Sequence, residues 1–523
     1  MESRQQRHHF IPRFILRSFK PKGQPPAGPL LQYPKNSNAK PSKRRDFLVN
    51  KVDLEKAILT QRPVSTEFAL VDMYRDPGFD QNHYHLEEKL SKLENQASDI
   101  IMRAHSVFSQ GLTLQLSRTE LNNLRKFLFL MKYRNKGMYD RYNYDHIEDY
   151  QADDRIKMSE YMRSRSFKKP RDVWFDNLGQ FLDLEMDPAR CWVKVLETTV
   201  YPDDASMMRL HIDFSFIAFC EPVSPSDEFL LTQNAYSIFE GPSTERINYL
   251  TRQTESVTYV EYHNFAPLSP KLMIVLRSHL LESQCQQDQQ NQESNNPRML
   301  WNSLAAAIRS QHLYPENAGS VLQDLPVQRC KNLYVQPHFV SFQSFDKNDK
   351  FCFECFKISP KHVTIINNIL LEEAKSTTSI VYHSQTSLKT SIENYLKDDT
   401  PGMKNLWVNP FNERRLYLKN LERIVRALGG STTSTSYDLP PGIAFPRMEL
   451  SRVVAIKLAI EILESDETEG APFQIYLLLK LGMTVTSFNN IRYIDFLMRR
   501  CESNKPLERY VPSQSHGSVE NNN

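Results

Sequence analysis

The chain has 523 residues, 40% hydrophobic and 24% charged, a globular mix with room for two to four domains of roughly 100–200 residues, which excludes a chain disordered throughout. Its longest apolar runs, such as 127–131 and 271–276, fall far short of the ~20 residues of a membrane-spanning helix, and no apolar stretch backs the charged start, so no membrane segment or leader is expected. Net charge is only +3, yet the first 62 residues hold 14 Lys and Arg against 4 Asp and Glu and the remainder 51 against 58, a basic arm on a mildly acidic body.

In chain order, residues 8–19 read as an entry turn and one short helix. Residues 20–45, rich in Pro, Lys, Asn and Ser, read as a loop or disordered arm. Leu48–Leu59 suggests a short helix. His85–Gln110 is a strong helix, with Leu86, Leu90, Leu93, Ala97, Ile100, Ala104 and Phe108 recurring every three to four residues and Gly111 ending it. Ser117-Arg118-Thr119-Glu120 has the capping-box spacing that opens a second helix, packed on the first as an antiparallel hairpin. Residues 138–169 carry no clear period, and Arg171–Leu184 is again helical. Over Arg209–Phe219 the apolar residues alternate, which predicts a strand with His211 and Asp213 on its polar face. Further strands are expected at Phe229–Thr232, Tyr236–Phe239, Val257–Tyr262, Leu272–Leu276 and Phe351–Phe356. Helices are expected at Met299–Ser310, Lys361–Ala374, Ser387–Leu396 and Glu413–Leu428. The predicted fold is α+β: predominantly helical, with a small antiparallel sheet and a helical C-terminal unit. The expected division is a main domain over 1–428 with inserts at 20–45 and 284–297, a linker at 429–447, the helical unit at 448–502 and a polar tail at 503–523.

The segment His8-His9-Phe10-Ile11-Pro12-Arg13-Phe14-Ile15-Leu16-Arg17-Ser18-Phe19 resembles the opening signature of the domain-of-unknown-function family numbered 4238. Later pieces follow in the family's order: Asp72-Met73-Tyr74-Arg75-Asp76 ahead of the helix with Glu87 and Glu94, then Phe229–Asn234 and Phe265–Pro270 at its strand motifs. The likeness covers about the first 400 residues. It implies no activity. Relatives commonly carry an Asp followed by a Pro near the Thr232 strand, where this chain has Gln233-Asn234-Ala235; if that acid does chemistry in relatives, this chain lacks it.

Pro12 suits the first turn of a helix, and Arg13 and Arg17, four apart, then share a face. With His9 just ahead of the helix they form a candidate anion clamp, the guanidiniums through bidentate contacts. The competing use is structural: the arginines pair with the candidate acid partners Glu87 and Glu94. Those two carboxylates, seven apart on one helix face, suit acid–base or metal chemistry, and equally suit neutralising Arg125 or Arg134. His211-x-Asp213 lacks the further ligands a metal site needs, and Cys352-x-x-Cys355 lacks a second ligand pair, so no metal and no cofactor is expected. Phosphate-loop, dinucleotide, nucleophile-elbow and zincin motifs are absent from the sequence. The sequence therefore points to a protein that binds an anionic small molecule or an acidic protein through His9, Arg13 and Arg17. The alternative is a hydrolase or nuclease-like enzyme on a phosphorylated or nucleic-acid substrate, with Glu87 or Glu94 as base or metal ligand. The basic arm, Lys43-Arg44-Arg45 included, makes nucleic acid a candidate partner. Seven cysteines, odd and sparse, suit reduced thiols and a cytoplasmic or nuclear location.

Overall fold

The computed structural model describes residues 5–21, 46–79, 81–152, 154–241, 261–279, 281, 320–333, 346–398, 404 and 411–431, and the backbone of two strands between 243 and 259. The expected inserts at 20–45 (from 22 on) and 284–297, the helix at 299–310, the linker from 432, the C-terminal unit and the tail lie outside these residues.

Strand β1 (Arg7–His9) leads into α1 (Arg13–Ser18). Pro12 is extended, with ψ 145°, and so stands just ahead of the helix rather than in its first turn. Ile15, Leu16 and Phe19 bury the inner side of this turn and a half. Over 48–59 the expected helix is instead a strand, β2 (Leu48–Asp53), a turn and the start of β3 (Ile58–Pro63). β2 pairs with β3 on one side and, on the other, with a strand over Ser379–Tyr382 that no local window contains. Its β-branched Val49 and Val52 are both buried, on opposite faces, and this long-range pairing overrides a locally helical pattern. β4 (Ala69–Val71) returns to pair with β1, with His9 opposite Ala69.

Helices α2 (His85–Ser109) and α3 (Arg118–Tyr133) stand where periodicity placed them, joined through β5 (Leu114–Ser117). Gly111, at φ 71°, takes the left-handed position that closes α2. The capping box of α3 is complete: Ser117 N–H donates to Glu120 Oε2 at 2.8 Å, and Glu120 N–H donates to Ser117 Oγ at 3.3 Å. Then come α4 (Lys136–Tyr142), α5 (Arg155–Arg165), α6 (Pro170–Asp183), α7 (Cys191–Thr199) and α8 (Pro202–Asp213). Four of these helical segments meet at Asp204. Its Oδ2 accepts from the hydroxyls of Tyr133 and Tyr142, each at 2.7 Å, and from Asn177 Nδ2 at 2.8 Å.

The alternation over 209–219 is the end of one element and the start of another. Pro202 with Asp203 and Asp204 opens α8, which runs through Asp213, so His211 and Asp213 sit on a helix; the strand β6 (Ser215–Pro222) begins after it. β7 (Leu231–Thr232), β8 (Phe239–Glu240), β9 (Ser243–Ile247), β10 (Thr254–Tyr259), β11 (His263–Ser269), β12 (Leu272–Ser278) and β13 (Lys331–Asn332) follow. Residues 351–356 are two strands, not one. β14 (Lys350–Phe353) pairs with β5 and β13, while β15 (Cys355–Ile358) joins β6 in parallel. α9 (Pro360–Glu373), β16 (Ser379–Tyr382), α10 (Gln385–Lys397) and α11 (Phe411–Ala427) complete the described chain.

A single small antiparallel sheet is therefore the wrong description. The described strands form a mixed five-stranded sheet (β15-β6-β12-β11-β8), a four-stranded sheet (β3-β2-β16-β7), a three-stranded sheet (β13-β14-β5) and two paired ladders. The central strands are covered on both faces, which is why they do not read as apolar-in, polar-out. Ile217 and Phe219 of β6 enter a core shared with α2, α3 and α6, while Phe216, Ala218 and Cys220 enter a second core shared with α9, α10 and α11. Residues 5–241, 261–281 and 320–431, where described, form one compact unit; the hairpin β9–β10 belongs to a second. Within the first unit Glu240 ties chain ends together: His263 Nδ1 lies 2.7 Å from its Oε2, Ser320 Oγ donates to Oε2 at 3.0 Å, and Val321 N–H donates to Oε1 at 2.9 Å. No helix among the described residues is long and apolar enough to cross a membrane.

Candidate functional site

The pairing of β1 with β4 fixes two adjacent histidines with their rings on opposite sides, as successive strand residues must be. His8 turns inward. Its Nδ1 accepts from Tyr74 N–H at 2.9 Å, its ring stacks on Tyr74 at 5.4 Å between centroids, and Tyr84 meets it edge-on at 5.8 Å. Tyr74 carries the stack on to Trp174 of α6, 6.0 Å away. The Tyr74 hydroxyl reaches back to the His9 carbonyl at 3.4 Å, so this buried ring braces the strand that holds both histidines.

His9 faces a charged neighbourhood. Burial and the nearby Arg13 charge push its imidazole down to about 4, with Arg134 adding to the effect and the Glu67 backbone and Asp46 opposing it. The ring is therefore neutral near pH 7. Arg13 is exposed at the start of α1, and Arg17, half-buried one turn on, lies over the Phe47 ring at 5.7 Å. Neither arginine has an acid within ion-pair distance among the described residues.

Glu94 and Glu87 explain why. Glu94 accepts from Arg134 Nη2 at 2.6 Å, so the cation paired with this helix face comes from the end of α3 and not from α1. Arg134 is 1% exposed and sits 6.0 Å from the Tyr74 ring centroid. Glu87, two turns earlier on α2 and half-buried, has no ion pair or hydrogen bond among the described residues. Burial raises its carboxyl above the usual range, the Glu94 charge raises it further, and Arg134 and Arg13 pull the other way. His9, Arg13, Glu87, Glu94, Arg134 and Tyr74 thus act on one another in one locus.

That locus is poor in hydrogen bonds. Among the described residues, several buried polar atoms in and beside it lack a well-formed hydrogen bond: the ring nitrogens of His9, with the Glu67 backbone as the nearest group to pair with, Nε and Nη1 of Arg134, with the Tyr74 hydroxyl near, and His8 Nε2, the Tyr84 hydroxyl and Trp174 Nε1. Buried polar groups are overwhelmingly paired, so each atom left over here calls for a partner from outside the side chains that surround it. Chemically, the set offers cationic N–H donors, a neutral imidazole and a carboxyl that holds its proton more tightly than usual.

The other residues singled out from sequence lie elsewhere. His211 is enclosed in the helical core, where burial pushes it down to about 3, and Asp213 accepts from Arg190 Nη2 at 2.7 Å. Cys352 and Cys355 fall on strands of different sheets. Among the described residues no group of three or more His, Cys, Asp or Glu is arranged to hold a metal. Gln233 and Asn234 make backbone ties: Gln233 Oε1 accepts from Thr378 N–H at 2.9 Å, and Asn234 Nδ2 donates to the Glu373 carbonyl at 2.9 Å. Lys43, Arg44 and Arg45 are outside the described residues. Sequence reasoning named Arg134 only as a partner for the glutamates and Tyr74 only as part of a motif. The stretch Tyr133-Arg134-Asn135, which ends one capped helix and starts the next at the Asn135 cap, is the local signal for a fixed side chain there.

A family model described as a protein of unknown function, DUF4238, matches residues 7–387. No curated protein and no solved structure matches the chain.

Proposed function

We propose, for a chain that belongs to the DUF4238 family and from the site just described, that the protein binds an anionic ligand between β1, α1, α2 and the end of α3. The observation that carries this reading is the surplus of donors among the described residues: Arg134 has two buried nitrogens without a well-formed hydrogen bond, neutral His9 offers one ring N–H, and Arg13 has no acid within ion-pair distance. A purely structural cluster pairs such groups internally, because each one left unpaired in a buried place costs about 1–3 kcal/mol. An oxyanion supplies the missing acceptors and the opposite charge at once. Arg17, held over Phe47, stands one turn further out as an additional cation for a larger anionic ligand or an acidic protein segment.

A second reading is favoured by Glu87. A carboxyl raised by burial, beside two guanidiniums, is equipped for general acid–base work on a bound phosphoryl substrate. A hydrolase or nuclease-like activity would then be lost in Glu87→Gln while binding persists. The sparse cysteines, all free among the described residues, suit a cytoplasmic or nuclear setting.

The anion reading is tested by thermal melting of the full chain with and without millimolar inorganic phosphate or a nucleotide. The expected result is a rise in the wild-type midpoint that disappears in Arg134→Met, a variant that keeps volume and removes the donors. No rise in the wild type with any anion would refute the reading.

A further inference from the structure

We propose that β4 offers its free edge to an extended acidic segment of another protein, which joins the β1–β4 ladder as a third strand with Arg7 and Arg62 as its charge partners. The surface is separate from the anion site above and needs none of His9, Arg13 or Arg134.

The hydrogen bonds that bracket the ladder decide which way its backbone groups point. Phe10 N–H donates to the Phe68 carbonyl at 3.0 Å, and Asp72 N–H donates to the Gln6 carbonyl at 2.8 Å. In an antiparallel ladder, pairs that exchange bonds alternate with pairs whose N–H and C=O groups point away from each other. Phe68, Leu70 and Asp72 therefore face β1 with their backbone groups, while Ala69 and Val71, opposite His9 and Arg7, turn theirs outward. Among the described residues β4 pairs with no strand but β1, and the outward groups of Ala69 and Val71 have no other partner. Two donors and two acceptors stand in a row along this edge.

The edge borders an open groove of about 510 Å³. Arg62 and Pro63 at the end of β3 line it as well, and the turn between the two strands is fixed by Thr66 Oγ1, which donates to the Pro63 carbonyl at 2.9 Å. Arg7 and Arg62, both exposed and both lining the groove, have no acid within ion-pair distance among the described residues. The carboxylates that flank β4 in sequence are engaged elsewhere. Glu67 pairs with Lys51 at 3.1 Å, and Asp72 Oδ1 accepts from Gln6 N–H at 2.9 Å. No carboxylate among the described residues lines the groove.

An edge that is only protected from pairing carries charge or proline on the strand itself, or is covered. β4 carries Ala69, Leu70 and Val71, with Val71 51% exposed, and its charges stand on the neighbouring strands. Residues opposite one another across a ladder share a face, so residues of an added strand that pair with Ala69 and Val71 lie on the face of Arg7. An arginine side chain spans the roughly 4.8 Å between strands, and an acid opposite Val71 therefore meets Arg7 across it. Main-chain bonds to the edge hold any extended peptide, and the two guanidiniums select one with acidic side chains. A second copy of this chain would set Arg7 and Arg62 against their own kind. With three residues of edge to pair, the recognised element is a short linear segment.

The test is fluorescence anisotropy of the full-length protein with a labelled peptide of alternating glutamate and valine. The wild type is expected to bind it and not its lysine–valine counterpart. A form N-methylated at alternate amides keeps the charge, loses the edge bonds, and is expected to bind more weakly by about tenfold or more. The same loss is expected when Arg7→Glu and Arg62→Glu are combined. Val71→Pro removes one outward N–H and leaves the bonds to β1, so it too should weaken binding by about tenfold. Should that variant not fold, the N-methylated peptide asks the same question of the wild type. Arg134→Met is expected to leave peptide binding unchanged. No binding of the glutamate peptide, or equal binding of the lysine peptide, overturns the proposal. Equal binding of the N-methylated form reduces the surface to a charge contact and overturns the added strand. A loss in Arg134→Met with none in the Arg7 and Arg62 variant places the peptide in the anion site and overturns the groove.

Discussion

Two buried polar clusters of this protein, which take the adjacent residues Tyr133 and Arg134 from the end of one helix, are built in opposite ways. At Asp204 the polar atoms close on themselves: two tyrosine hydroxyls and an asparagine amide converge on one carboxylate oxygen, and the Asn177 carbonyl oxygen in turn accepts Tyr201 N–H at 3.1 Å. Burial raises the Asp204 carboxyl, and its three donors counter that rise. Around Tyr74, one residue on, the end of α3 is Arg134, and its guanidinium spends one nitrogen on Glu94 and leaves two without a well-formed hydrogen bond. Tyr133 and Arg134 are neighbours, yet one locks four helical segments together and the other belongs to a cluster with donors to spare. The first cluster is what a buried polar group costs when its purpose is structural. The second leaves donors without well-formed hydrogen bonds among the described residues, which is the feature the anion-site proposal draws on.

The comparison breaks first, and with the largest effect, at Asp204. Asp204→Ala strands the Tyr133 and Tyr142 hydroxyls in a dry place, while Asn177 Nδ2 keeps the Tyr133 oxygen as an acceptor at 3.2 Å; the two unsatisfied donors cost about 4 kcal/mol together, a value to be read from urea unfolding. Added phosphate should leave that loss unchanged, because the knot is closed. A loss below about 1 kcal/mol would show that the knot is not the structural member of the pair.

Acidification separates the two regions next. His9 is held down to about 4 against an ordinary 6.5, so its neutral form is the folded one. The contribution is full above about pH 6.5, where the unfolded histidine is also neutral, and is lost as pH falls towards the folded value, to a ceiling of about 3 kcal/mol. His211, held down to about 3, loses stability in the same direction. The histidines differ towards anions. Sulfate favours the protonated form of a histidine that faces the site, so it should recover part of the acid loss in the wild type and none of it in His9→Gln. Equal recovery in both proteins would remove His9 from the site.

How much of this was legible in the sequence follows from how local each feature is. The helices α2 and α3 announce themselves because periodicity, a capping box and a terminal glycine all lie within one window. β2 could not be read that way, since its stability comes from β16, whose register sets Val52 opposite Ile380. Arg209–Phe219 misled because a helix end and a strand start alternate by coincidence: Leu210 is 52% exposed, which no strand facing a core would allow. At the site, His9 and Arg13 were visible because they are contiguous in one motif. The convergence of Arg134, Glu87 and Tyr74 upon them is tertiary. The expected pairing of Arg13 or Arg17 with the glutamates was reasonable from charge alone, but Arg134 reaches Glu94 instead.

The smallest effect on stability sharpens the comparison most. Arg13 is exposed, has no acid within ion-pair distance among the described residues, and lowers the His9 imidazole by its charge. Removing it takes away no contact on which the core depends, and it relieves crowding of like charge around His9. Arg13→Ala should therefore change unfolding free energy by less than about 0.5 kcal/mol in either direction, the usual range for a surface substitution away from special features. The His9 imidazole should also titrate higher, because one cause of its depression is gone, and NMR of the ring protons reads that directly. Ligand response should change far more than stability: the phosphate-induced rise in melting temperature should fall by at least half. Arg13 is then dispensable for the fold and required for the anion, the inverse of Asp204. A loss of about 3 kcal/mol in Arg13→Ala, with the phosphate response intact, would place Arg13 with the structural residues and leave Arg134 and His9 as the whole of the candidate site.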